Sequence, residues 1–144
     1  MENFYDQIEN ASDEELWEIF LKNEGEEKAD ALTQIVLGYS PEMEGLPKIR
    51  MAELAMEIYI NSGCEEDSSD FAFLWAEIAE NRAVTGDYSS AVEAGFNAIS
   101  LLQLHEINNY KNLPWDLVKW LGLSGQVERA HNYLDEVLKA QGGK

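Results

Sequence analysis

Apolar side chains recur every three or four residues along nearly the whole chain, in runs bounded by capping residues, prolines and glycines. That spacing predicts helices, and no stretch alternates apolar and polar residues well enough to predict a strand. The expected fold is all-α: about seven helices in one domain, 1–144, arranged as stacked antiparallel hairpins.

The first helix runs from Asp13 to Lys22. Ser12 and Glu15 form a capping box, and Leu16, Ile19 and Phe20 make the apolar stripe. Phe4, Tyr5 and Ile8 suggest a short extra turn before it. The second spans Glu26 to Tyr39, with Ala29, Leu32, Ile35, Val36 and Tyr39 on one face; Pro41 and Gly45 then break the chain. The third starts at Pro47 and carries Ile49, Ala52, Leu54, Ala55, Met56, Tyr59 and Ile60, with Gly63 as its C-terminal cap. The fourth, from Asp70 to Gly86, is capped by Ser68 or Ser69 and presents Phe71, Leu74, Trp75, Ile78, Ala79 and Arg82. A tight turn leads to the fifth, Tyr88 to Leu104. The sixth, Leu113 to Leu123, opens with Pro114. The seventh, Val127 to Ala140, ends before the glycine pair Gly142 and Gly143, which reads as a frayed tail. Short links between such helices make antiparallel neighbours.

Charge narrows the classes of partner. The 28 Asp and Glu against 10 Lys and Arg leave a net charge of −18. Residues 1–80 hold 21 of the acids and 4 of the bases. Phosphate contacts need Lys and Arg, so neither nucleic acid nor an anionic membrane is an expected partner. A basic partner would be steered to the N-terminal half, although a surface of this kind also serves solubility alone. No apolar run approaches the roughly 20 residues of a membrane span. The acidic start Met-Glu-Asn-Phe-Tyr-Asp lacks the basic, apolar pattern of a signal peptide. The simplest reading is a cytoplasmic protein, with a processed precursor as the alternative.

Residues 72–103 contain a repeat unit. Trp75 stands early in its first helix, followed by Ile78 and Ala79; Gly86, Asp87 and Tyr88 make the turn; Ala91, Ala98 and Ile99 follow in its second helix. Small residues at 79 and 91 let two helices approach closely, and Gly86 permits the left-handed conformation that ends the first. Trp75 and Tyr88 are expected to fill the space between hairpins. This pattern resembles the tetratricopeptide repeat (TPR). It departs from that family at Arg82, where an aromatic is usual, at Gly95, where a large side chain is usual, and at Gln103, where proline is usual. A weaker copy repeats the spacing with Gly125, Gln126, Val127, Ala130, Val137 and Leu138, 39 residues after the first against about 34 for the family. The resemblance implies an N-terminal capping helix in 1–25, a degenerate hairpin in 26–63, the best-matching repeat in 69–105 and a second repeat in 112–140.

The sequence offers few candidates for catalysis or metal binding. Cys64, the one cysteine, is flanked by Glu65, Glu66 and Asp67, which disfavour its thiolate. His105 and His131 belong to no metal-ligand spacing. The stretch Glu65–Asp70 lacks the ligand order of an EF-hand, and caps or charge at a helix start are its simpler role. No phosphate-binding glycine motif or nucleophile elbow occurs. Neither an enzyme nor a cofactor or metal is expected.

The resemblance implies a groove lined by the first helix of each hairpin, where a peptide or helix binds. It offers Phe73, Ala76, Glu80, Ala83 and Val84 in the best repeat, Asn112, Trp115, Lys119 and Leu123 in the next, and Asp30, Thr33 and Leu37 in the degenerate one; each apolar member could equally pack against a neighbouring hairpin. Family members that clamp a C-terminal carboxylate use Lys, Arg and Asn on this face. Here the fourth helix shows Phe73, Ala76, Glu80 and Val84, which argues against acidic chaperone tails and suits a basic or amphipathic segment. The expected function is thus a non-catalytic protein-interaction module, an adaptor or chaperone-like protein resembling in outline the bacterial secretion chaperones. The alternative is an acidic immunity or anti-defence inhibitor that masks a basic, nucleic-acid-handling partner through Glu14, Glu15, Glu26 and Glu27. Self-association through an end helix is a further possibility.

Overall fold

The computed structural model describes residues 4–38, 41–108 and 110–142. The regular elements among them are all helical: α1 (Phe4–Glu9), α2 (Asp13–Lys22), α3 (Gly25–Leu37), a 3-10 turn at Pro41–Met43, α4 (Leu46–Asn61), α5 (Ser69–Val84), α6 (Tyr88–Leu104), α7 (Leu113–Leu123) and α8 (Val127–Gly142). The all-α expectation holds. Eight α-helices stand among the described residues because the turn expected around Phe4 and Ile8 closes into a helix of its own. Tyr39 and Gly143, expected at a helix end and in the tail, lie outside the described residues, whereas Gly142, also expected in the tail, is the last residue of α8.

Local chemistry sets most of the boundaries. At the start of α2 the Glu15 N–H donates to Ser12 Oγ (3.2 Å) and the Ser12 N–H donates to Glu15 Oε1 (3.1 Å), a complete capping box. Asp87 caps α6 by accepting from the Ser90 N–H at 3.2 Å. Ser68 holds the N-cap position of α5 but makes no side-chain capping bond there. Gly63, Gly86 and Gly125 follow α4, α5 and α7 with φ of +85°, +86° and +87°. A Cβ would meet nothing within 4 Å at any of the three, so the backbone conformation, not crowding, calls for glycine. The next N–H in each case reaches back into the helix: Cys64 to Tyr59 O (3.0 Å), Asp87 to Arg82 O (2.9 Å) and Gln126 to Leu121 O (2.9 Å).

From α2 to α8 each helix packs on the next in sequence; α1 packs on α3, and α3 also touches α5. The most extensive contact joins α5 and α6 across the turn Thr85–Asp87. Ala79 and Ala91 are fully buried there, and their size lets the two backbones come close. Trp75 and Tyr88 are half-buried against the core. α5 buries Phe71, Ala72, Leu74, Ala76, Ile78 and Ala79, so apolar residues wrap more than one stripe. Complete burial of a side chain such as Phe71 or Leu74 is worth about 1.5–3 kcal/mol. Two residues of the stripe expected on α4 do not join this core: Leu54 and Ile60 are 42% and 45% exposed, on the outer side of the helix.

Two departures from the repeat pattern have structural causes. A Cβ on Gly95 would lie 2.5 Å from Leu117 Cδ2 and 3.2 Å from its Cγ, with Leu117 itself fully buried. Gly95 is therefore the seat into which α7 sinks against α6. Arg82 donates to Ser90 O at 3.4 Å and lies 3.9 Å from Glu53, bridging α5 to α6 and α4 where an aromatic would only fill space. Gly95→Leu should accordingly lower unfolding free energy by about 3 kcal/mol in chemical denaturation, since overpacking outweighs the gain in helix propensity.

Candidate functional site

Among the described residues the core holds five buried polar side chains: Asp30, Thr33, Lys48, Glu77 and Asn81. Buried polar atoms need partners, and the five form two groups.

The first group is closed. The Tyr59 hydroxyl on α4 hydrogen-bonds Asp30 Oδ1 on α3, and Thr33 Oγ1 lies 3.2 Å from the same hydroxyl and 2.8 Å from Ala29 O. Burial raises the Asp30 carboxyl above its ordinary 3.8, more than the Tyr59 bond lowers it, with Asp70, Glu26 and Glu27 adding to the rise. The Tyr59 phenol is pushed far up by burial and by Asp30. Asp30 and Thr33, expected to line a groove, are instead the polar fastening between α3 and α4.

The second group borders an open space. Asn81 accepts the Gly45 N–H (2.7 Å) and donates to Glu77 O (2.8 Å), which holds the start of α4 on α5. Glu77 pairs with Lys111 Nζ at 2.8 Å, which brings the α6–α7 loop onto α5. Lys48, in the first turn of α4, donates to Gly38 O at 3.0 Å. Between these groups lies a cavity of about 520 Å3, within the range of ligand pockets. α3 contributes Leu37; the α4 entry contributes Glu44 and Lys48; α5 contributes Glu77, Glu80, Asn81, Ala83 and Val84; α7 contributes Asp116, Lys119 and Trp120. Burial raises the carboxyl groups of Glu80 and Asp116 above their ordinary values, Lys111 and Lys119 respectively acting in the opposite sense. Burial lowers the Lys111 ammonium, but the Glu77 bond and the charges of Glu77 and Glu80 outweigh it and the net shift is upward.

Of the residues expected on a groove, Glu80, Val84 and Lys119 line this cavity together with Ala83 and Leu37. The remainder go elsewhere. Phe73 stacks on Tyr110 with centroids 5.1 Å apart. Ala76 is buried in the helix packing, only 2% exposed. Trp115 and Leu123 are exposed but outside the cavity lining. Asn112 is the left-handed N-cap residue of α7. On the acidic face Glu14, Glu15, Glu26 and Glu27 are all exposed, with Glu15 engaged in the capping box and its carboxyl lowered by the Ser12 bonds. The residues that sequence reasoning missed are Glu44, Lys48, Glu77, Asn81, Lys111, Asp116 and Trp120. Repeat register could have reached some of them: Glu77 and Asp116, like Asn81 and Trp120, stand 39 residues apart, as Gly86 and Gly125 do.

Elsewhere, burial raises the Cys64 thiol, with smaller contributions from Glu26, Asp30 and Asp70. His105 Nε2 lies 2.6 Å from Asp67 O and ties the end of α6 to the α4–α5 loop; His131 is exposed on α8. Among the described residues no group of three or more His, Cys, Asp or Glu side chains could hold a metal ion, and no helix is long and apolar enough to cross a membrane. No protein-family model matches the chain, and neither a curated protein nor a solved structure does.

Proton uptake follows from this arrangement. Asp30, Asp70, Glu80 and Asp116 all have carboxyl groups raised in the fold, chiefly by burial. The stability they contribute is complete below the unfolded values and is lost as pH rises through the folded ones. Glu15 and Asp87, lowered by hydrogen bonds, act oppositely and lose their contribution only in stronger acid. Thermal melts should therefore show Tm rising as pH falls from neutral toward the ordinary carboxyl range of about 4, with a smaller rise in the Glu80→Gln, Asp116→Asn variant. Lys111→Met should lower stability by about 2 kcal/mol in denaturant titrations. It strands the buried Glu77 carboxylate, and the partial exposure of Lys111 keeps the loss below that of a fully buried pair.

Proposed function

We propose that the chain is a non-catalytic, TPR-like protein-interaction module that holds a peptide or helix of a partner protein in the cavity between α3, α5 and α7. The observation that carries this reading is the origin of the lining. Glu80 and Lys119, like Glu77 and Asp116, stand at equivalent places in two successive hairpins and reach one common cavity. The packing of each helix from α2 to α8 on the next in sequence supports a repeat architecture, in which such a groove extends along the stack. Val84, 61% exposed, offers an apolar edge beside the charged wall, a combination that suits an amphipathic segment. An adaptor or chaperone-like role in the cytoplasm fits this chemistry.

The test is selection from a displayed random-peptide library on the full chain. Selected peptides should bind wild type and lose about tenfold in affinity to Val84→Asn, which removes the apolar edge without changing charge, while Leu54→Asn on the outer side of α4 leaves binding intact. Failure to select any peptide, or indifference to Val84→Asn, would sink the proposal. Val84 is a sharper probe than Phe73 or Trp115, which lie away from the cavity. Loss instead on joint neutralisation of Glu14, Glu15, Glu26 and Glu27, all exposed, would transfer the function to the acidic face and the masking role.

A further inference from the structure

Resting on that groove-binding reading, we infer that the bound segment places one Lys or Arg side chain in the cavity, its cationic head between Glu80 and Asp116 and its aliphatic stem along Val84 and Trp120.

Charge accounting within the lining points to this occupant. Four carboxylates, Glu44, Glu77, Glu80 and Asp116, share the cavity with three ammonium groups, Lys48, Lys111 and Lys119. Two of the three cations are committed. Lys111 pairs with the buried Glu77 at 2.8 Å and more loosely with Glu80 at 3.8 Å, so its one charge is shared between two carboxylates. Lys48 is itself buried and directed to the Gly38 carbonyl. Lys119 is exposed and lowers Asp116 without cancelling its burial. Glu44 is exposed, so the carboxylates that burial leaves least compensated are Glu80, which has Lys111 at 3.8 Å and shares a hydrogen bond with Glu77, and Asp116, which has Lys119; the charge of Asp116 also opposes ionisation of Glu80.

Each other occupant meets a physical objection. An apolar side chain would desolvate both carboxylates and supply nothing in return. An anion would add to the excess. A metal ion would need a ligand set, and none exists among the described residues. A single ammonium or guanidinium brings the lining to neutrality, pairs with both carboxylates, and leaves its methylene stem to the adjoining apolar wall. The net charge of −18 would also draw a basic segment toward the chain before contact.

The experiment uses library-selected peptides whose binding is lost on Val84→Asn. They should share one Lys or Arg. Replacing it with norleucine, which keeps the stem and removes the charge, should weaken binding to wild type about tenfold. The same replacement should cost less than about twofold against Glu80→Gln, Asp116→Asn, a coupling that a loss of fold in the variant would not produce. Thermal melts confirm that the variant is folded, and the norleucine series on wild type needs no altered protein. Groove-bound peptides without a required basic residue would overturn this inference and leave the groove reading standing. So would an equal norleucine effect on wild type and variant. If no peptide binds through the groove, both fall.

Discussion

α5 has to be packed on several sides and still carry charge, and the way it does so sets the rest of the structure. Glu77 and Asn81 are 3% and 4% exposed in the same helix that buries Phe71, Leu74 and Ile78. A buried carboxylate without a partner would cost several kcal/mol, about 3–5 when a buried pair is broken. Lys111 meets Glu77 and thereby brings the α6–α7 loop against α5; Asn81 meets the Gly45 N–H and thereby places the first turn of α4. Both residues also face the cavity. The polar groups that anchor neighbouring segments to α5 are thus the walls of the candidate site, while Val84 and Lys119 stand exposed at its rim.

A second constraint is steric. Gly95 leaves room for Leu117, which is fully buried, and so determines how deeply α7 lies on α6. α7 carries Asp116, Lys119 and Trp120 into the cavity. A residue with no side chain on one helix therefore helps to place charged groups on another. The glycines after α5 and α7 have a different role: with φ near +86° and open space around them, they turn the chain and fill nothing.

The acidic character of the chain is distributed between two kinds of position. Glu14, Glu26 and Glu27 stand in solvent on the N-terminal helices, where they screen readily and favour solubility. Asp30, Asp70, Glu80 and Asp116 are more deeply placed and are shifted upward by burial. Only Glu80 and Asp116 of these four border an open cavity, whereas Asp30 is absorbed into the Tyr59 fastening. Net charge alone would not separate these cases.

Helix identity was legible because its causes are local. The Ser12–Glu15 capping box, the Asp87 cap, the prolines in the first turns of α4 and α7, and the glycines at 63, 86 and 125 act within a turn of where they stand. The close pairing of α5 with α6 was likewise written in Ala79, Ala91 and the turn between them. Leu54 and Ile60 were misplaced because spacing on α4 supports a wider apolar face than its neighbours cover. Glu80, Val84 and Lys119 were reachable through the repeat, but Ala76, Phe73 and Trp115 were not separable from them, since packing and lining residues share the same helices. Lys48 and Lys111 were missed: they lie 29 and 34 residues from Glu77 in the same lining, and neither separation is the 39-residue interval that relates the two copies in this chain. By itself the sequence determined the main helices and most of their boundaries to within a residue or two, because capping and turn chemistry are short-range. Which charges meet across the cavity was decided only by the tertiary structure, because those pairings depend on how far one helix sinks against the next.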